Sequence, residues 1–426
     1  MSRKMLKGGE AIASGSFGCV FRPALTCATG EQPAVGYVSK LMVTRNAVAE
    51  IENINQVRAN VEQIPNYNKY FGIQNISICE PAPLSDIDTA SFYQTCQMSL
   101  GKYKIEPTNL KNSMHNFSII NMPDLGMDLF DYLQNLDMDM FCKLNVALVD
   151  LLLHAIVPMN QNGRIHGDIK IENVAIDIRD GDINLHLIDW GASHHKDTIV
   201  REVSTPPCFT HNLPPGSVLV PTFHDIMFQW YHENTNHEQS DYPVFAEYLL
   251  TSIIQDSDSF REMLFLLINI ITGNGDKEYL KTMSLQMDLF HLEAIVNKYC
   301  DPVTHAFDKQ TYINEVYIHN ADIFGFLTIY MNMFHMLEPV MSRELMELWS
   351  TILNTFMYQE TYAANPYDIN KLVEMLLNLN TIAQCDGQHS IPIVLSENKS
   401  ESKSVRRQLS EQPNTNNLNK RQRMST

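Results

Sequence analysis

The run His166-Gly167-Asp168-Ile169-Lys170-Ile171-Glu172-Asn173, followed by Asp189-Trp190-Gly191, holds the residue types in this sequence that could do chemistry. A carboxylate, an ammonium and an amide fall between positions 168 and 173, and a second carboxylate stands 21 positions after the first. That set suits phosphoryl transfer, where a loose transition state leaves the protein mainly positioning and charge stabilisation. Asp168 would accept the proton of an attacking hydroxyl, and Lys170 would reach the transferring phosphate. Asn173 would hold a magnesium ion, and Asp189 the metal that bridges the phosphates. Ordinary loop polars would have no reason to keep this spacing.

Such a site needs a nucleotide end, and the N-terminus offers one. Ile12-Ala13-Ser14-Gly15-Ser16-Phe17-Gly18-Cys19-Val20 reads as a strand, a glycine turn and a returning strand. Gly15 and Gly18 would let backbone amides approach phosphate oxygens closely. No Gly-Lys-Ser/Thr follows, which excludes a Walker loop, and no helix follows, which excludes a dinucleotide fingerprint. A two-stranded flap over ATP fits. Val38-Ser39-Lys40-Leu41 then reads as a third strand whose lysine would meet the α- and β-phosphates. A carboxylate on the next helix, expected over Asn46 to Val61, would orient Lys40. Glu50 is the first choice and Glu52 the second, since either could equally sit on a solvated face.

On these motifs the chain resembles the eukaryotic-type protein kinases over roughly Gly8 to Asn380. Ile12 to Val20 matches their glycine-rich loop, Lys40 the ATP-anchoring lysine, His166 to Asn173 the catalytic loop and Asp189 to Gly191 the metal-binding triplet. Asn320-Ala321-Asp322-Ile323-Phe324-Gly325 is similar to the buried helix whose aspartate braces that loop. The Gly167-Asp168-Ile169-Lys170 form resembles casein-kinase-like and vaccinia-related kinases. Phe21-Arg22-Pro23 and a large insertion are similar to kinases of large nucleocytoplasmic DNA viruses. The resemblance implies an α+β, bilobal protein-kinase-like fold: a strand-rich N-lobe (1–122) and a helical C-lobe (123–384), the latter with a helical insertion over 216–319. It also implies ATP and Mg2+ as cofactors and, through Lys170, protein serine or threonine hydroxyls as acceptors. The alternatives are a small-molecule phosphotransferase of the aminoglycoside or choline kinase kind, and a pseudokinase scaffold.

Departures from the family pattern carry their own expectations. Ala13 replaces the loop's first glycine and should stiffen the flap. Gly167 replaces the arginine that receives a phosphorylated activation loop in many kinases, so activity without that modification is expected. Trp190 replaces a phenylalanine, and its bulk should resist flipping of the triplet. No Ala-Pro-Glu closes the segment after Gly191, and Cys208 to Pro215 is the substitute, with Asn212-Leu213-Pro214-Pro215 as a rigid turn.

Composition bounds the remainder. The 426 residues, 44% apolar, suffice for a large core, and a formal charge of −18 opposes general binding to a nucleic-acid backbone. Basic protein substrates are compatible with it. Eight cysteines without Cys-x-x-Cys spacing argue for a reducing compartment and a cytoplasmic setting. Met1 to Gly9 is basic and lacks a signal-peptide core, and the longest apolar run, Met263 to Ile271, is too short for a membrane span.

Asn121 to Gly126 is the expected hinge. Phe141, Leu144, Leu148, Leu151, Leu152 and Ala155 recur at helical spacing and should be buried. Within the insertion, Tyr248 to Ile254, Arg261 to Ile271 and Lys277 to Lys298 read as helices, forming either a partner-docking module or a packed accessory bundle. His232 and His237 flank Glu233, but five residues rotate a helix by about 140°, so the rings diverge and no zinc is assigned. Neither is a metal assigned to His194 and His195. Ser342 to Tyr358 and Asn365 to Asn380 read as the last helices, the second opened by Pro366. The tail over 385–426 is expected to be disordered, from about Glu397 most clearly. Its basic groups, Arg406-Arg407 and Lys420-Arg421-Gln422-Arg423, suit either nuclear import or plain solvation, and Ser410 fits a basophilic phosphorylation site.

Overall fold

Burial on both faces of a single strand, Tyr37–Val43, organises the N-terminal part of the protein. Leu41 points into an apolar cluster with Phe21, Phe117 and Ile119, while Met42, one residue on, joins Ala47 and Ile120 on the opposite face. Side chains on a strand alternate between faces, so this strand (β3) separates two small cores. The computed structural model describes residues 9–14, 18–31, 33–92, 94–96, 113–179, 181–201, 212–218, 258–301, 304 and 306–385. The chain divides into Met1–His389 and Ser390–Thr426, and all described residues belong to the first unit.

The fold is α+β, with a sheet-rich N-terminal part and a helical C-terminal part. Strands β1 (Glu10–Ser14), β2 (Gly18–Arg22), β3, β4 (Ser77–Cys79) and β5 (Phe117–Pro123) form an antiparallel sheet in the order β1-β2-β3-β5-β4. Helix α1 (Thr44–Val61) follows β3 directly and buries Ala47, Ile54, Val57 and Val61 at helical spacing. Asn121 lies inside β5 and is buried, so the connection between the two parts is Asp124 to Gly126, shorter than the expected hinge. Arg22 clasps it, donating to Asp124 Oδ1 at 2.7 Å and to the Gly126 carbonyl at 2.6 Å.

In the C-terminal part, helix α2 (Met138–Leu151) carries the expected stripe, and Phe141 through Ala155 of that stripe are fully buried. The helix continues through a π turn over Leu152–Ile156 and on to Gln161. The wider turn precedes Pro158, whose ring would otherwise strike the carbonyl four residues back. Met138–Gln161 is therefore one helix of 24 residues, of which an 18-residue stretch has mean hydropathy 1.8; by length and composition alone it could cross a membrane, but half of that stretch is buried inside the protein, as in a core helix. Its stripe packs against β6 (Asp182–Leu187) and the last helix.

Helices α3 (Asp258–Thr272) and α4 (Lys277–Tyr299) fall where two insertion helices were expected. Tyr248 to Ile254, His232 and His237 lie outside the described residues, as do Cys208 and the tail beyond Cys385. A long central helix, α5 (Ile318–Leu337), is buried along nearly its whole length. Helices α6 (Arg343–Leu353) and α7 (Ile369–Ile382) complete this part. Pro366 does not open α7: Asp368 caps it, accepting from the Lys371 amide at 3.1 Å. A buried amide network joins α2, α5 and α7. Asn145 donates to the Leu376 carbonyl and to Asn380 Oδ1 and accepts from the Tyr330 hydroxyl.

The cysteines overturn their sequence reading. Cys19–Cys96, Cys27–Cys79 and Cys142–Cys385 are disulfides, and Cys300 is a buried free thiol. The partners lie 77, 52 and 243 residues apart, so the fold rather than local spacing brings them together. Cysteine usage therefore no longer argues for a reducing compartment. Loss of one native disulfide costs about 2–5 kcal/mol. Replacing Cys27 and Cys79 together by serine is expected to lower the melting midpoint and to shrink the further drop caused by a reductant. Identical melting of oxidised and reduced wild type would contradict a stabilising role.

Candidate active site

Lys40 is the point where the two parts of the protein meet. It shares the β3 face of Met42, beneath α1, because the two are two residues apart on a strand. Its Nζ lies 2.9 and 3.0 Å from the two oxygens of Glu50 and 3.5 Å from Asp189 Oδ1. Glu50 lies within the stripe of α1 that buries Ala47 and Ile54, whereas Glu52, about 200° further round the helix, is exposed. The open choice between the two acids thus resolves to Glu50.

Electrostatics follow from that geometry. Burial opposes the Lys40 ammonium, but Asp189 and Glu50 more than offset it, and its pKa is raised well above that of a free lysine. Lys40 in turn holds the Asp189 carboxyl below its ordinary value, against the effect of burial. The Asp189 contribution is present above the unfolded carboxylate value of about 3.9 and is lost as pH falls through the depressed one. The Lys40 contribution is present below about 10.4 and is lost as pH rises through the raised one. Across the neutral range both groups stay ionised.

Asp189 occupies the left-handed region, with φ 60° and ψ 74°. Aspartate enters that region more readily than most residues, yet such conformations persist only where surroundings enforce them. Here Trp190 does so: buried, it packs on His166 with ring centroids 4.5 Å apart and on Phe71 at 5.8 Å.

The loop that carries Asp168 hangs from α5. Asp322 Oδ2 accepts from the His166 amide at 2.8 Å and from Asn160 Nδ2 at 2.7 Å, and its Oδ1 accepts from the Gly167 amide at 2.9 Å. Gly167 has φ +77°, and a Cβ there would stand 2.8 Å from the Ala192 carbonyl oxygen. Backbone geometry therefore favours glycine at this position. Gly325 allows α5 to lie against the loop, since a Cβ there would meet the Ile169 carbonyl oxygen at 2.6 Å. Asn212 closes the far side by donating to that carbonyl at 3.0 Å. His166 Nδ1 accepts from the Asp168 amide at 3.3 Å, which leaves Nε2 as the protonated nitrogen, 3.0 Å from the Ile188 carbonyl.

Three of the chemistry-bearing groups converge. Asn173 Nδ2 donates to both the carboxylate and the carbonyl of Asp168, each at 2.7 Å. Lys170 Nζ lies 3.2 Å from Asp168 Oδ2. Asp168 Oδ1 is left buried without a partner, and Asn173 Oδ1 remains as that amide's acceptor. The Ile188 amide donates to the Asn173 carbonyl at 3.1 Å, so the segments bearing Asn173 and Asp189 are stitched side by side.

At the flap, Ile12, Ala13 and Ser14 form the end of β1, and Gly18, Cys19 and Val20 the start of β2; Gly15, Ser16 and Phe17 lie outside the described residues. The Cys19 side chain is buried in the core and bonded to Cys96, so a part in the flap would fall to its backbone. Gly18 serves packing as well, because a Cβ there would stand 2.6 Å from Met42 Cγ. Asn53 and Asn160 escaped the sequence reading, and Asn212 entered it only as the first residue of a turn.

Among the described residues no group of three or more His, Cys, Asp or Glu side chains could hold a metal ion. No family model matches the chain, and no curated protein matches it.

Replacing Asp322 by alanine strands three buried donors, each worth about 1–3 kcal/mol when unpaired. Asp322→Ala is expected to lose at least roughly 3 kcal/mol in denaturant unfolding, with Asp322→Asn less affected. A loss near zero would mean that the loop does not depend on this brace.

Proposed function

We propose that this chain is a serine/threonine protein kinase of bilobal, protein-kinase-like fold, using ATP and Mg2+. The reading is carried by one observation: the Lys40 ammonium is in contact with Glu50 on one side and Asp189 on the other. In protein kinases the lysine on the third strand pairs with a glutamate of the following helix, and both that pair and the metal-binding aspartate must be in place for transfer. A five-stranded sheet with a helix directly after β3 and a braced loop over 166–173 supports the same reading.

Chemistry follows from the residues. The substrate hydroxyl would give its proton to Asp168, whose carboxylate Asn173 and Lys170 hold in one orientation and whose Oδ1 has no other partner. As the hydroxyl oxygen bonds to the γ-phosphorus, the bond to the ADP oxygen breaks, and Lys170 stabilises the charge on the transferring group. Lys40 would hold the α- and β-phosphates, and Ile12, an exposed apolar side chain on β1, would cover the base.

Magnesium typically binds through one or two carboxylates together with phosphate oxygens, so a site with one carboxylate and one amide suits it and needs no cluster of protein ligands. Asn173 Oδ1 and Asp189 would hold it, and when bound it neutralises phosphate charge. Lys170 beside the base favours protein hydroxyls over small alcohols, and the acidic chain suits basic protein substrates.

Labelled ATP offered with a panel of basic and acidic proteins, and with small alcohols, tests the reading. Wild type is expected to label a protein on serine or threonine, and Asp168→Asn is expected to reduce that by at least about 10³-fold while still binding ATP. Labelling of small alcohols alone would move the reading to a small-molecule phosphotransferase. Metal-dependent ATP binding without any transfer would make it a scaffold.

A second expectation concerns activation. Because Gly167 cannot receive a phosphate, phosphatase-treated protein is expected to retain its turnover. Collapse of turnover on treatment, with recovery on rephosphorylation, would reverse this.

A further inference from the structure

The Lys40, Glu50 and Asp189 contacts are useful only if α1 and the Asp189-Trp190-Gly191 segment stay together. A helix can swing away from a sheet, and one salt bridge to a flexible lysine is a weak restraint. Asn53 supplies another. It stands one turn after Glu50 on α1, half-buried, and its Nδ2 donates to the carbonyl of Trp190. That carbonyl also accepts from the Ser193 amide, which closes the short turn after Asp189.

Asn53 therefore grips the backbone next to Asp189, a non-glycine residue of the site held in the left-handed region. The far end of α1 is tied as well, because Asn162 Nδ2 donates to the Asn60 carbonyl at 3.0 Å. Trp190, wedged between Phe71 and His166, cannot rotate out without breaking both ring contacts. Helix, triplet and catalytic loop are thus joined by the chain's own contacts.

Resting on the kinase reading, we propose that Asn53 is a positioning residue: it fastens α1 to the Trp190 carbonyl so that Glu50 and Asp189 face Lys40 in the unmodified, nucleotide-free protein. This is how the site can be assembled without a phosphorylated segment. The side chain touches neither substrate nor metal and acts through the backbone beside Asp189.

The test compares wild type, Asn53→Ala, Asn53→Asp and Gln56→Ala, an exposed position on the same helix. Asn53→Asp keeps the shape of the side chain but cannot donate, which covers the case in which the alanine variant fails to fold. Two readouts are taken: kcat and KM for ATP, and amide hydrogen exchange across 44–61 and 189–193 without nucleotide.

The expected result is a fall in kcat of roughly 10- to 100-fold in both Asn53 variants, with KM changed much less. Faster exchange confined to the two segments should accompany it, and Gln56→Ala should change neither. Unchanged kcat in the Asn53 variants overturns the proposal. So does a loss of activity that only tracks a global fall in stability. If wild type transfers no phosphate, the kinase reading fails by itself, and exchange then decides: local acceleration in Asn53→Asp keeps the clasp, and unchanged exchange removes it.

Discussion

One ammonium, Lys40, is shared by two carboxylates from opposite sides of the chain, and the architecture is arranged around keeping it there. Removing charges from water is expensive, and an ion pair in a largely covered place often stabilises no more than apolar packing would. Stability is therefore a poor reason for this arrangement. Glu50 comes from α1 and Asp189 from the segment after β6, so the lysine is the contact through which sheet, helix and C-terminal part meet. Without it two carboxylates would face one another across the same gap.

The loop bearing Asp168 is governed by a different economy, in which buried amides and one carboxylate replace mobile charge. Asp322 takes three donors, Asn160 spans Asp322 and the Arg164 carbonyl, and Asn173 fixes Asp168 itself. Buried networks of this kind specify one geometry because any alternative leaves a polar atom unpaired. Close backbone approaches at Gly167 and Gly325 complete the restraint, since side chains at either would push the loop from α5. The Asp168 carboxylate, held on both sides by Asn173 and Lys170, has little freedom to turn, as the proposed role of base would require.

Much of this was legible in the sequence, and where it was not the reason is physical. Helix α1 and the stripe from Phe141 to Ala155 follow from periodicity, and the same periodicity would have separated Glu50 from Glu52 had Ala47 and Ile54 been taken as the buried face. Asp168, Asn173 and Asp189 announce themselves by type and spacing. The disulfides do not, because pairing over 77 or 243 residues is a property of the folded path. Pro366 misled because proline is favoured in the first turn of a helix but is equally at home in the approach to one. The 24-residue apolar helix was hidden by Asp139, Lys143, Asp150 and Pro158, which interrupt the run without interrupting the helix. Asn53 could not be found by any pattern, since its partner is a carbonyl 137 residues away.

Some of the places where local rules fail lie in the site, although Asn66, Asn75 and Gln384 also take positive φ away from it. A non-glycine residue sits at positive φ in Asp189, a buried carboxylate oxygen lacks a partner in Asp168, and a buried indole N–H lacks one in Trp190. Strain and unmet hydrogen-bonding capacity persist only where the surroundings over-determine the conformation or a ligand completes it. Elsewhere in the helical part, Asn145, Tyr330 and Asn380 satisfy one another. Other buried groups among the described residues, Asp88 and His186 for example, also have an unpartnered atom, so what sets Asp168 apart is its company: Asn173 and Lys170, whose types suit phosphoryl transfer, hold its other oxygen.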